Sequence, residues 1–251
     1  MQSRLETQLK ALSLRKVLAH YESEAQRAAG EKLSYEEYLA RLIEMEAMDK
    51  LERSVHAKLL KARFPALKTL EEFDFSFQPG LNEKEIIALS SLAFVEKKEN
   101  VLLLGPPGVG KTHLAIALGV KACTAKYRVL FVRCQDLLHQ LAAAKAAGRL
   151  GNCLLSFSYL HLLVIDELGY LPIEREQANL LFQLVSSRYE KGSIALTSNY
   201  GFEDWAEIFS ADQVVAAAII DRLVHHSHIF AINGNSFRMK PKGGAKIPVK
   251  T

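Results

Sequence analysis

Eight consecutive residues, Gly105-Pro106-Pro107-Gly108-Val109-Gly110-Lys111-Thr112, limit the folds open to this chain more than any other feature. They follow an apolar run, Val101–Leu104, and open an amphipathic segment carrying Leu114, Ile116, Ala117 and Leu118. A Gly-x-x-x-x-Gly-Lys-Thr string between a strand and a helix is the context that confirms a Walker A match. The glycines let backbone N–H groups turn inward around phosphate oxygens, and the following helix N-terminus adds its positive dipole. That chemistry assigns Lys111 to the β- and γ-phosphates and the Thr112 hydroxyl to magnesium. The expected ligands are ATP and Mg2+, cradled by Gly105, Pro106, Pro107, Gly108, Val109, Gly110, Lys111, Thr112 and His113.

Such a loop needs a parallel sheet behind it, and the pattern from Asn82 onward supplies one. Val101–Leu104, Val129–Val132, Leu162–Ile165 and Ile194–Thr197 are short, continuous apolar runs, as strands buried on both faces require. Helical patterns separate them at 112–125, 136–147 and 175–190, and Ile229–Ile232 reads as a last strand after a helix at 215–226. The expectation is an α/β fold with a five-stranded parallel sheet between helices. No internal repeat is visible.

Leu162–Ile165 ends in Asp166-Glu167. Asp166 is placed to hold magnesium, and Glu167 adds a carboxylate suited to polarising an attacking water. Acids at a strand's C-terminal edge can also be plain turn residues, but in open α/β sheets that edge is where ligands bind. The pair favours hydrolysis over a kinase, which has no need to activate water. A third run ends in Thr197-Ser198-Asn199. If its strand lies between the two already named, Asn199 sits beside the γ-phosphate and the water; taken alone it is a turn residue. Arg222, in Asp221-Arg222-Leu223, has two readings of equal standing. It pairs locally with Asp221 or a nearby Glu, or it reaches the γ-phosphate of a neighbouring subunit.

Ahead of the sheet the chain reads as all-helical. Leu9, Leu12, Val17, Leu18, Tyr21 and Ala25 recur at helical spacing up to Gly30. Ser34 and Glu37 form a capping box. Tyr38, Leu42, Met45, Met48, Leu51, Val55 and Leu59 then make one stripe of a long helix stopping near Phe64-Pro65, with Glu44, Glu46, Lys50, Glu52 and Arg53 on a solvated face. A hairpin this small cannot bury both stripes alone, so it needs its own core, a neighbouring subunit or a partner. The expected division is a helical domain at 1–66, a linker at 67–82, an ATPase domain at 83–240 and a disordered tail at 241–251. From position 236 on there are five basic residues and no acidic one, consistent with a solvated tail or with phosphate-backbone contact. No apolar run is long enough for a bilayer and no signal-peptide core opens the chain. Cys123, Cys134 and Cys153 lack metal spacing, and their odd number argues against a disulfide framework. A cytoplasmic protein without membrane contact is expected.

Walker A with paired prolines, Asp-Glu, Thr-Ser-Asn and Asp-Arg-Leu, in this order, resemble the AAA+ superfamily and most of all its initiator and helicase-loader branch. Closer still, Leu70–Phe75, Gly105–Ala115, Ile165–Pro172, Arg188-Tyr189-Glu190, Asp221–His226 and Gly234–Arg238 resemble the IstB family, the helper ATPases of insertion-sequence transposition. The resemblance runs over nearly the whole chain. It assigns catalysis to Lys111, Glu167, Asn199 and Arg222, with Arg222 as an arginine finger, and magnesium to Thr112 and Asp166. It implies ring or spiral homo-oligomers with ATP sites between subunits, duplex DNA binding and cooperation with a cognate transposase. Few residues follow the Asp-Arg-Leu helix, which implies no C-terminal helical lid and no second sensing arginine on one.

A DnaC-like loader that binds a replicative helicase and single-stranded DNA is the alternative, disfavoured by the lack of cysteine ligand spacing in the N-terminal segment. A nucleotide-gated scaffold with incidental turnover is a third reading. His225 and His226, next to His228, invite a metal, but no acidic or cysteine partner stands at ligand spacing, so a helix-end pair is the simpler reading. Phe73, Phe75 and Phe77 either wall an adenine pocket or pack in the core.

Overall fold

A computed structural model describes residues 4–210 and 212–239. The expected tail, 241–251, lies outside the described residues. The chain divides into two compact units, Met1–Ala57 and Lys58–Thr251.

The first unit contains α1 (Arg4–Ala11), α2 (Arg15–Glu31) and most of α3 (Tyr35–Ala62). The sequence period suggested one helix up to Gly30, but Ser13 adopts a left-handed conformation (φ 56°) and splits it in two. Leu9, Val17 and Leu42 form the small core there. The capping box before α3 is present: Ser34 N–H donates to Glu37 (2.8 Å), and Glu37 N–H donates to Ser34 Oγ (3.2 Å). Two expectations for α3 need correction. Met48 and Leu51 of the apolar stripe are exposed, while Glu46, placed on the solvated face, is buried. The reason is local. Leu14 precedes α2 without a side-chain cap, and Glu46 reaches across from α3 to accept from Lys16 N–H (2.7 Å) and Val17 N–H (3.3 Å). A carboxylate on otherwise unpartnered N–H groups at a helix start is stabilising.

The second unit holds α4 (Glu83–Ala88), α5 (Ala93–Glu96), β1 (Asn100–Leu104), α6 (Lys111–Thr124), β2 (Val129–Arg133), α7 (Cys134–Ala146), α8 (Leu150–Ser158), β3 (Leu162–Leu168), α9 (Arg175–Arg188), β4 (Ser193–Ser198), α10 (Trp205–Ile208), α11 (Gln213–Val224) and β5 (Ser227–Ala231). All strand pairs are parallel, in the order β2-β3-β4-β1-β5. The side chains of β1 to β4 alternate between two apolar layers, while β5, at the edge of the sheet, leaves Ile229 and Ala231 exposed. Leu102 and Leu104 join α7, α9 and α11 on one side, and Val101 and Leu103 join α6 on the other. Burying a side chain of this size contributes roughly 1.5–3 kcal/mol. The continuous apolar runs in the sequence follow from this double coverage.

Arg188 ties the end of α9 to its neighbours. Its wholly buried guanidinium donates to the carbonyls of Phe157, Leu160 and Ser193, and burial pulls it down to about 10. Among the described residues only a short 3-10 turn, Phe237–Met239, follows β5, and no helix is long and apolar enough to cross a membrane.

Candidate functional site

The phosphate loop leaves the C-terminal end of β1 and enters α6 within six residues. Gly105 (φ 143°) donates its N–H to Ser198 O at 3.2 Å, and a Cβ on it would lie 2.1 Å from the Ile232 carbonyl. Gly108 (φ 84°) is pressed against Ser236 in the same way. Only glycine meets both the left-handed backbone and the close approach. The first-turn N–H groups of α6 have no partners within the helix and are therefore available to an anion.

Sheet order decides the rest. β4 lies between β3 and β1, the condition on which the reading of Asn199 depended. Asn199 Oδ1 accepts from Lys111 Nζ at 2.9 Å, and Lys111 also donates to the carbonyls of Gly105 (2.5 Å) and Pro106 (2.7 Å). Asp166 Oδ1 accepts from Thr112 Oγ1 (2.8 Å) and Thr197 Oγ1 (2.6 Å), and Thr197 Oγ1 accepts from Glu167 N–H (2.9 Å). One polar chain thus links α6, β3 and β4. Glu167 itself sits at φ 63°, where the register between β3 and β4 shifts. This left-handed residue breaks the alternation of β3 and turns the carboxylate into the cleft, a conformation that a non-glycine residue adopts at some cost.

Lys111 is almost fully buried, and burial pulls its ammonium down to about 8. Asp166 and Glu167 oppose that shift, while Arg238 adds to it. A buried cation held by two carbonyls and an amide is well matched to an incoming anion. The cleft is bordered by the loop, Glu72, Asp74, Glu167, Tyr170, Thr197 and Asn199, with Phe73 and Phe77 also on its wall. Thr112 and Asp166 offer adjacent hard oxygens of the kind magnesium takes. His113 ties α6 to the preceding segment through Thr69 O (2.8 Å). Of the phenylalanines, Phe75 packs with the core, Phe77 lines the cleft, and Phe73 does both.

Three contributors escaped the sequence reading. Thr197 looked like a strand residue, yet it bridges Asp166 and Glu167. Phe237 and Arg238, counted with the end of the chain, line the cleft. Phe237 N–H donates to Gly108 O (2.9 Å), a contact no local spacing signals.

Arg222 is elsewhere. It stands near the end of α11, in a small cavity with Asn100 and Ile194 from the N-terminal ends of β1 and β4. Its guanidinium donates to Ala218 O (3.1 Å) and lies 4.5 Å over the Phe182 ring. Among the described residues no carboxylate is within ion-pair distance of it, so local pairing with Asp221 is not what the structure contains. The histidines also differ from expectation. The fold brings Glu190 to His226 (3.6 Å), an acidic partner that sequence spacing had hidden, while Tyr189 meets His225 (2.7 Å) and Glu99 meets His228 (2.9 Å). Glu190, His225 and His226 are all exposed.

Residues 7–245 match the family described as IstB-like ATP binding protein. The insertion sequence IS21 ATP-binding protein of Pseudomonas aeruginosa is 50% identical over 246 residues, 98% of this chain and 92% of that one. Its counterpart from IS5376 of Geobacillus stearothermophilus is 40% identical over 242 residues, 96% of each chain. Among solved structures, the DnaC helicase loader superposes with a TM-score of 0.53 at 23% identity, over 65% of this chain and 96% of that chain. AMPPCP-bound DnaA from Aquifex aeolicus gives 0.55 at 22%, over 68% of this chain and about half (51%) of that one. These two structural likenesses speak for the fold, an AAA+-type core. On the sequence match, this chain belongs to the IstB-like ATP-binding proteins of IS21-type insertion sequences.

Proposed function

We propose that the protein is a magnesium-dependent ATP hydrolase that assembles with ATP on duplex DNA and prepares that DNA for the transposase of its element. The observation that carries this is that Arg222 stands apart from the cluster around the phosphate loop. Lys111, Thr112, Asp166, Glu167 and Asn199 are joined at the C-terminal edge of the sheet, while Arg222 stands at the N-terminal edge. A guanidinium placed there serves a nucleotide only if that nucleotide is bound by another subunit.

In this reading the loop N–H groups and Lys111 hold the phosphate chain, and the Thr112 hydroxyl and Asp166 hold magnesium. The metal, when bound, draws charge from the phosphate oxygens. Glu167 accepts a proton from the attacking water, Asn199 orients that water beside the γ-phosphate, and a neighbour's Arg222 meets the charge of the transition state. Membership of an insertion-sequence family supports the transposase as partner, and the basic residues after position 236 suit contact with phosphate backbones.

The test is sizing of the Glu167→Gln protein with ATP, on duplex and then on single-stranded DNA. A large ATP-dependent complex that prefers duplex is the expected result. A protein that stays monomeric with ATP and binds duplex regardless of nucleotide overturns the proposal, and preference for single strands would point to helicase loading.

A further inference from the structure

The N-terminal edge of the sheet carries a second group of donor atoms besides Arg222, where two turns of the chain meet. One turn follows α9. The Arg188 carbonyl accepts from Lys191 N–H (2.9 Å) and Gly192 N–H (3.1 Å), and between them Glu190 is held in a left-handed conformation (φ 57°). The other turn joins α11 to β5. His225 N–H donates to Asp221 O (3.2 Å), and His226 O accepts from Asn100 N–H at the start of β1 (2.8 Å). Backbone bonds thus pin both turns, and they present Glu190, His225 and His226 on one patch of surface.

The spacing of these side chains suits a metal better than a hydrogen bond. His226 Nε2 and Glu190 Oε1 stand 3.6 Å apart, which is too long for a hydrogen bond. Two ligands of a tetrahedral zinc ion, with bonds of about 2.0–2.2 Å, lie roughly 3.4 Å from each other. One donor atom from each of Glu190, His225 and His226 falls within 4.8 Å of the other two, and exposed side chains can close the remaining distance by rotation. Tyr189 Oη lies 2.7 Å from His225 Nδ1, the place of an outer partner that orients a metal-bound imidazole. A helix-end dipole accounts for the two histidines but not for the glutamate and tyrosine that meet them.

The surroundings narrow the choice of ion. Lys98 and Arg222 border the same small cavity as Glu190 and His226, and their charges oppose any cation. Magnesium and calcium take oxygen ligands, and a single carboxylate offers them too little against that repulsion. Zinc, nickel and copper bond to imidazole nitrogen. We propose that Glu190, His225 and His226 bind one divalent ion of this imidazole-seeking class, with a fourth position open to solvent.

The experiment titrates zinc chloride by calorimetry into the full-length, tag-free, metal-stripped protein without nucleotide. Glu190→Gln, His226→Ala and Cys153→Ser are measured beside the wild type. The expected result is one ion per chain in the wild type and in Cys153→Ser, not displaced by excess magnesium. Affinity should fall about tenfold or more in Glu190→Gln and in His226→Ala. Glu190 and His226 are exposed, so both metal-free variants should melt with the wild type. Glu190→Gln preserves the shape of the side chain and isolates the carboxylate even if His226→Ala melts lower. The proposal is overturned if the wild type binds no zinc, if either ligand variant keeps its affinity, if Cys153→Ser loses it, or if magnesium displaces the ion.

Discussion

The two edges of the central sheet are built on opposite principles. At the C-terminal edge several polar groups answer one another: Lys111 to Asn199, Thr112 and Thr197 to Asp166, Glu167 N–H to Thr197. At the N-terminal edge Arg222 rests on a backbone carbonyl and an aromatic face, without an acid. The first arrangement is complete within one chain. The second holds a half-buried cation without an acid beside it. Preorganised charge lowers a barrier without rearrangement at the moment of reaction, whereas under the proposed function Arg222 would make reaction conditional on a partner.

The largest effect is expected from Arg222→Ala. ATP turnover of the assembled protein should fall by ~10³-fold or more, while affinity for ATP stays within about twofold. A variant that loses affinity and rate together would place Arg222 in its own chain's site. Mixing inactive Arg222→Ala with inactive Glu167→Gln should restore part of the turnover, because mixed assemblies contain some sites with both groups intact. Glu167→Gln alone should lose about 10²–10⁴-fold in single-turnover hydrolysis and keep ATP binding. Gly105→Ala places a methyl group against Ile232 O, and should cost about 1–3 kcal/mol, read as a melting temperature lower by several degrees.

A gentler probe is pH. The folded-state pKa of Lys111, about 8, lies below the ordinary value of 10.5, so the charged form is disfavoured in the fold. That penalty is fully present below pH 8 and is relieved as pH rises towards 10.5, which makes this contribution to stability increase with pH. ATP affinity should run the other way, falling by roughly tenfold between pH 7.5 and 9.5 as the ammonium is lost. Lys111→Arg should flatten that dependence. At the opposite edge, Glu190→Gln should change stability by less than about 0.5 kcal/mol, since both partners of its ion pair are exposed.

How much of this was legible depended on how local each signal was. Four strands could be read because burial on both faces writes continuous apolar runs, and β5 was found from Ile229–Ile232 although one of its faces is open. Their neighbouring helices fell within two residues of expectation for α6, α7, α9 and α11. The roles of Lys111, Thr112, Asp166 and Glu167 were suggested by adjacent residues in two short strings. Asn199 needed one fact the sequence withholds, the position of β4 between β3 and β1. α8 was missed although Leu150, Cys153, Leu154 and Phe157 fall at helical spacing, whereas Glu46, Thr197 and Arg238 stayed hidden for a common reason. Their partners lie far along the chain or across the fold, and no period or cap in their own surroundings points to them.

The left-handed backbone at Glu167 restricts what mutagenesis can learn there. Glutamine and alanine can occupy φ 63° on much the same terms as glutamate, so their effects report on the missing carboxylate. Valine, isoleucine and threonine cannot, because a branched Cβ collides with its own backbone in that region. A dead branched variant at this position would record a broken irregularity in the pairing of β3 with β4, and its silence would be mistaken for chemistry.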